Sequence, residues 1–330
     1  MAYTWMSKDE RGRLYMITKE QLNGFEIYTL QNENLNVFLC PSLGNNLFRI
    51  WDRRMKREVL REPPNLKTLK KEPIFYGIPV LFPPNRTRFG RFEFQGRVYQ
   101  LNINWENKHN NHGFLARHPW KVDSTMQIGS HQSITSTFAT IDFLDVLQQY
   151  PHDLLFIMTY ELMGSKLTQK VSITNRGKVT APVGFGLHPW FRIDHEPQKW
   201  TLKLPVSYEW ELDSELMPTG RLLTLGPYES LTKGINLQGL QIEKLLQIGN
   251  RPHEAVLSKK GYEIRIQTSD LYRYWLLYTM GMTDEVISIE PYTWVTNAPN
   301  LDLPPELTGM KALQHGKTIH LKVIIDIAYT

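Results

Sequence analysis

Cysteine is almost absent from this 330-residue chain. With Cys40 alone no intrachain disulfide can form, so the sequence fits a reducing compartment, and the cytoplasm is the expected location. Cys40 has no CxxC partner and lies in the apolar run Val37-Phe-Leu-Cys40, which reads as core and not as a nucleophile. No window approaches the ~18 uninterrupted apolar residues of a membrane span, and the N-terminus lacks a basic region followed by an apolar run and a cleavage site. A soluble chain without a membrane partner is expected. There is no Gly-x-Ser-x-Gly elbow, no P-loop and no Gly-x-Gly-x-x-Gly opening a helix, which sets aside the serine triad and the phosphate-cradling loops. Long basic runs are missing too. Against 33 acidic residues the 38 basic ones leave a net charge of +5, and the densest stretches, Asp52–Arg57 and Leu66–Lys71, read as solvated turns or a short helix face. Nucleic acid is not implied. His109, His112 and His118 lie close together, but His109-x-x-His112 lacks the His-Glu-x-x-His helix context and sits among asparagines, so no metal site is expected.

What the chain has in quantity is period-two alternation. Phe25–Leu30, Leu35–Cys40, Gly44–Trp51, Ile134–Thr140, Asp153–Leu162, Lys166–Thr174, Tyr262–Thr268 and Thr318–Ile327 all read as strands. Arg91–Leu101 reads as a hairpin turning at Gln95-Gly96. In the last strand Ile319, Leu321, Val323, Ile325 and Ile327 share one face, which places it at the heart of a sheet. Helical signal is sparse: one short helix within Leu60–Pro73, and Leu240–Leu246 as the best other candidate. With no βαβ alternation, no linker and no repeat, the expected fold is all-β, one large antiparallel β-sandwich spanning residues 1–330 with few short helices.

Four polar sites interrupt this pattern: Asn85-Arg86 after the proline-rich Gly77–Pro84, the cluster Asn110-Asn-His-Gly113, His188 in Val183–Arg192, and Glu290 in Val286–Glu290. As a strand, Val183–Arg192 would point Val183, Phe185 and Leu187 to the core and Gly184, Gly186 and His188 to the other face. The two glycines are then expected to leave an open floor beside the imidazole for a ligand. By the same parity Ile287 and Ile289 face the core, while Ser288 and Glu290 share the polar side, with Glu290 at a strand end. An imidazole and a carboxylate together suit proton transfer, and an arginine with a second histidine would hold a polar substrate.

In order along the chain, Asn85-Arg86, Gly90–Gly96, His112-Gly113, Gly186-Leu-His-Pro-Trp-Phe191, Pro218-Thr-Gly220, Ile289-Glu-Pro291 and Asn297-Ala-Pro-Asn300 resemble the motifs of the aldose 1-epimerase (galactose mutarotase) family. The resemblance runs from about residue 25 to the C-terminus. It implies a galactose-mutarotase-like sandwich that interconverts the α and β anomers of a free aldose without a cofactor. By position His188 is similar to the family's general acid, which protonates the ring oxygen, and Glu290 to its general base, which removes the anomeric hydroxyl proton. Asn85, Arg86 and His112 match positions that bind the sugar. Where the family offers an aspartate for sugar hydroxyls, this chain has Glu243, longer by one methylene. A neighbouring Glu290 is expected to raise the His188 pKa. Two other functions fit these residues: a hexose-6-phosphate epimerase, from Arg86, Arg88, Arg91 and Arg117, and a non-catalytic sugar-binding protein stacking rings on Trp105, Trp120, Trp190 and Trp294.

Overall fold

The computed structural model describes residues 3–8, 14–249, 252–279, 281 and 284–330. Three extensive sheets account for most of it. The N-terminal one is a six-stranded meander in simple sequence order, from Tyr3–Lys8 to Arg57–Glu58. The largest has nine strands, with Lys121–Ile128 at one edge and Ile235–Asn236 at the other. In its middle Thr318–Ala328 pairs on one side with Lys166–Asn175 and on the other with Tyr262–Thr268. That strand is what joins the centre of the chain to its end. The third sheet runs Pro218–Leu223, Tyr208–Leu212, Glu243–Gln247, Tyr274–Tyr278, Val286–Tyr292, Gly186–Leu187 and Val80–Leu81, and Trp190–Arg192 also pairs with Val286–Tyr292. Between named strands every pairing among the described residues is antiparallel.

Alternation does the work that the sequence promised. Leu167, Val171 and Ile173 are buried, as are Leu321, Val323, Ile325 and Ile327, while Lys170, His320 and Lys322 are exposed. The inner faces share one large apolar cluster that takes residues from all three sheets, among them Val37, Phe156, Ile264 and Ile289. At roughly 1.5–3 kcal/mol per fully buried large apolar side chain, this cluster supplies the main drive to fold. Cys40 lies wholly inside, and burial raises its thiol pKa, which leaves it unreactive.

Among the described residues the α-helices are few and short: Leu66–Lys71, capped by the Asn65 side chain on the Thr68 amide, Leu144–Gln149 and Pro305–Thr308. The first falls within the stretch expected to hold one. The helix expected at Leu240–Leu246 is absent, because Glu243–Gln247 is a central strand paired with both Tyr208–Leu212 and Tyr274–Tyr278. Its short apolar run satisfies either period, and the two neighbouring strands decide the outcome.

Candidate active site

Seven separate stretches meet at one cleft of about 170 Å³ beside the third sheet. Its lining includes Asn85, Arg86, His112, Arg117, His188, Glu243 and Glu290, with Phe75, Trp105, Leu276 and Tyr278 as less polar walls. The six residues singled out from the sequence as catalytic or sugar-binding therefore share one cavity. Asn85 and Arg86 arrive on the proline-rich segment, where Pro83 and Pro84 suppress strand pairing and Asn85 turns at a positive φ of 58°. His112 follows a short pairing of Asn110-Asn111 with Arg86-Thr87, and Gly113 beside it packs so tightly on Phe82 that a Cβ would overlap the Phe82 carbonyl. Glycine is required there by both the contact and a φ of 60°.

Hydrogen bonds assign the protons of the two imidazoles. The Asn85 backbone N–H donates to His112 Nδ1 at 3.3 Å, so neutral His112 must carry its proton on Nε2 and act as a donor. Burial, His188 and the charges of Arg86 and Arg117 push the His112 pKa well down. His188 has the opposite tautomer. The Ser288 hydroxyl donates to the Pro189 carbonyl at 2.9 Å, so its oxygen is left to accept from His188 Nδ1–H at 2.8 Å. Neutral His188 thus presents a bare Nε2, which lies 3.3 Å from Glu290 Oε1.

Glu290 is completely buried, and Tyr292 O–H donates to its Oε2. Its Oε1 accepts no aligned hydrogen bond; the approach of His188 is at ion-pair distance only. Burial raises the Glu290 pKa well above the carboxylate range, and burial lowers that of His188 to about 3. His188 was expected to have its pKa raised by Glu290; it is lowered instead, because burial of the ring dominates and a neutral, protonated Glu290 offers no opposing charge. At pH values between these two pKa values the pair holds one proton, and since Tyr292 donates to Oε2, that proton belongs on Oε1, facing Nε2. Moving it across 3.3 Å converts the neutral pair to carboxylate and imidazolium without any exchange with solvent.

Three further expectations need correction. Val183–Arg192 is not one strand: pairing breaks into Ala181–Val183, Gly186–Leu187 and Trp190–Arg192 around Pro189. Gly184 and Gly186 leave no open floor, since a Cβ at Gly184 would overlap the Trp294 indole and one at Gly186 would lie 2.5 Å from the Tyr292 ring. Glu290 stands inside the strand Val286–Tyr292, not at its end.

Other residues go elsewhere. His109 accepts from the Phe89 amide and His118 sits between the Phe114 carbonyl and Asp145, so the three clustered histidines do not converge. Arg88 is committed to Asp213 and Glu215. Trp120, Trp190 and Trp294 are buried, Trp190 stacked on His188 at 4.8 Å, and only Trp105 of the four tryptophans lines the cleft. Arg86 donates to Glu243 at 2.8 Å across the cleft.

Two residues were given no role from sequence, Ser288 and Tyr292. Both lie two positions from Glu290 on the same strand face, and that parity was the available signal. Replacing Ser288 with Ala is expected to lower kcat for anomer exchange roughly 3–10-fold, in keeping with a bond worth ~0.5–1.5 kcal/mol, with little change in KM. Ser288→Thr should recover much of the loss. Equal kcat for Ser288→Ala and wild type, measured with the His188 tautomer by 15N NMR, would refute an orienting role.

The fold and this cleft define a galactose-mutarotase-like protein. A galactose mutarotase-like protein from Clostridium acetobutylicum superimposes with a TM-score of 0.90 at 23% identity, covering 95% of this chain and 98% of that one. The galactose 1-epimerase from Lactobacillus acidophilus does so with a TM-score of 0.76 at 14% identity, covering 100% and 99%. The pattern that defines the aldose 1-epimerase family matches residues 26–326, and the chain belongs to that family. An uncharacterised relative from Escherichia coli strain K12, YihR, is 31% identical over 145 residues; the match spans 42% of this chain and 44% of that relative's length.

Proposed function

We propose that this chain is an isomerase that interconverts the α and β anomers of a free aldose, with Glu290 as general base and His188 as general acid. The observation that carries the reading is the 3.3 Å approach of His188 Nε2 to Glu290 Oε1 in a cleft that also holds Arg86, His112 and Glu243. Ring opening takes the proton from the anomeric hydroxyl and delivers one to the ring oxygen. Glu290 as carboxylate accepts the first and His188 as imidazolium gives the second. Rotation about the bond to the aldehyde carbon and closure from the other face, with the proton roles reversed, yields the other anomer. An acid and a base each contribute roughly 10²–10⁴-fold. His112, a neutral Nε2–H donor, and the Arg86–Glu243 pair hold sugar oxygens. Glu243 reaches one methylene further than an aspartate would, so it sets which hydroxyl configuration is accepted.

The test is anomer exchange followed by polarimetry or exchange NMR on glucose and galactose. Rates above the spontaneous one support the reading; sugar binding without acceleration would make this a binding protein. A shared proton also predicts the pH profile. The pair keeps one proton between the His188 value of about 3 and the raised Glu290 value, so the acid limb of kcat/KM should lie near 3 and not at the ~6.5 where an independent histidine titrates. A limb centred near ~6.5 would show that His188 titrates alone.

A further inference from the structure

We infer that the sugar this cleft accepts bears an anionic substituent, a carboxylate or a phosphate, and that Arg117 receives it; the inference rests on the anomer-exchange reading above. The argument is a charge inventory of the cleft. Arg86 is neutralised by Glu243 at 2.8 Å. His112 and His188 are held neutral by burial, and Glu290 keeps the proton of its pair. Arg117 remains. It lines the same cavity, and its guanidinium makes no ion pair or side-chain hydrogen bond among the described residues, whereas Arg88, Arg49 and Arg192 are each matched to carboxylates.

Arg117 stands at the exposed mouth of the cleft, yet the protein around its guanidinium is sufficient for burial to lower its pKa. Its charge also reaches His112 in the same cavity. A solvated surface arginine needs no partner, but one that lines a cleft and has shed part of its hydration favours a ligand that brings the opposite charge. The planar guanidinium matches a carboxylate or phosphate with two parallel N–H donors. Asn111, nearby in the lining, keeps a buried Oδ1 without a partner, ready to accept from a sugar hydroxyl next to the charged group. The anomeric carbon must keep its free hydroxyl at Glu290, so the anion is carried on another carbon of the ring or its side arm.

The experiment compares glucose, glucuronate and glucose 6-phosphate with wild type, Arg117→Gln and Arg117→Lys, reading anomer exchange by NMR and binding by titration calorimetry. At least one anionic sugar is expected to exceed glucose about 10-fold or more in kcat/KM, and the better of the two identifies the anion. Arg117→Gln should raise KM for that sugar about 10–100-fold more than for glucose, the loss of a charge-assisted bidentate contact. Arg117→Lys should retain part of the preference. Equal kcat/KM for all three sugars, or an equal loss for all three in Arg117→Gln, overturns the inference while leaving anomer exchange intact. If no sugar exchanges faster than in buffer, the functional reading fails instead. The calorimetric comparison then decides Arg117 alone, and glucose binding as tightly as both anionic sugars overturns it.

Discussion

Glu290→Gln is expected to abolish anomer exchange, by roughly 10²–10⁴-fold in kcat, in a protein that is more stable than wild type at neutral pH. The loss follows from removing the base: an amide cannot accept the anomeric proton, and among the described residues no other carboxylate lies at ion-pair distance from His188 Nε2. The gain in stability follows from burial. Glu290 is fully buried and its pKa is raised, so between the ~4.3 of an unfolded glutamate and the folded value the native state binds more protons than the unfolded one. Stability is therefore full below the unfolded value and is lost as pH rises toward the folded one. Glutamine has no such dependence. Its carbonyl can keep the Tyr292 hydrogen bond, and its NH2 can donate to the bare His188 Nε2, so the site stays filled and paired. Denaturation midpoints of both proteins across pH 4 to 8, roughly the span between an ordinary carboxylate and neutrality, should diverge upward in favour of the variant. Parallel curves, or a variant less stable throughout, would mean that Glu290 is ionised in the folded protein and that the shared-proton account is wrong. His188→Asn should lose activity to a similar degree while sugar binding through Arg86, His112 and Glu243 persists.

Much of this site was legible because strand parity is a local property. The spacing of Val183, Phe185 and Leu187 against His188, and of Ile287 and Ile289 against Ser288 and Glu290, states which side chains leave the core, and all of the former are buried. Those two polar faces adjoin because Trp190–Arg192 pairs with Val286–Tyr292, placing Trp190 opposite Ser288. That pairing joins residues a hundred positions apart, and only the ordered motifs pointed to it. What the sequence withheld depends on neighbours across the fold. The run around Leu245 has helical and strand periods alike until Tyr274–Tyr278 lies beside it. The direction of the His188 pKa shift depends on how completely protein surrounds the ring, which no spacing reports. Arginine count near the motifs suggested a phosphate site, but Arg88 is bound by two acids encoded more than a hundred residues later and lies outside the cleft that Arg117 lines.

The glycines beside His188 give the second large effect. Gly184→Ala is expected to cost about 1–3 kcal/mol of stability or more, because its new methyl group must displace the buried Trp294 indole. The ring has nowhere inexpensive to go. Its Nε1 points to the Pro84 carbonyl at 3.4 Å, so a shift of Trp294 presses on the segment that delivers Asn85 and Arg86, and KM should rise with the loss of stability. Gly186→Ala meets a different neighbour. Its methyl group would crowd the Tyr292 ring at 2.5 Å and Pro84 at 2.8 Å, and Tyr292 is the donor that fixes Glu290. That variant should lose kcat more than KM. Denaturant midpoints together with exchange kinetics on the two variants separate these routes. A Gly184→Ala protein of wild-type stability that merely fails to bind sugar would show that the space beside the imidazole belongs to the substrate after all. If stability falls first, the glycines serve the substrate only indirectly: they let two aromatic rings pack close enough to hold Arg86 and Glu290 where the sugar must meet them.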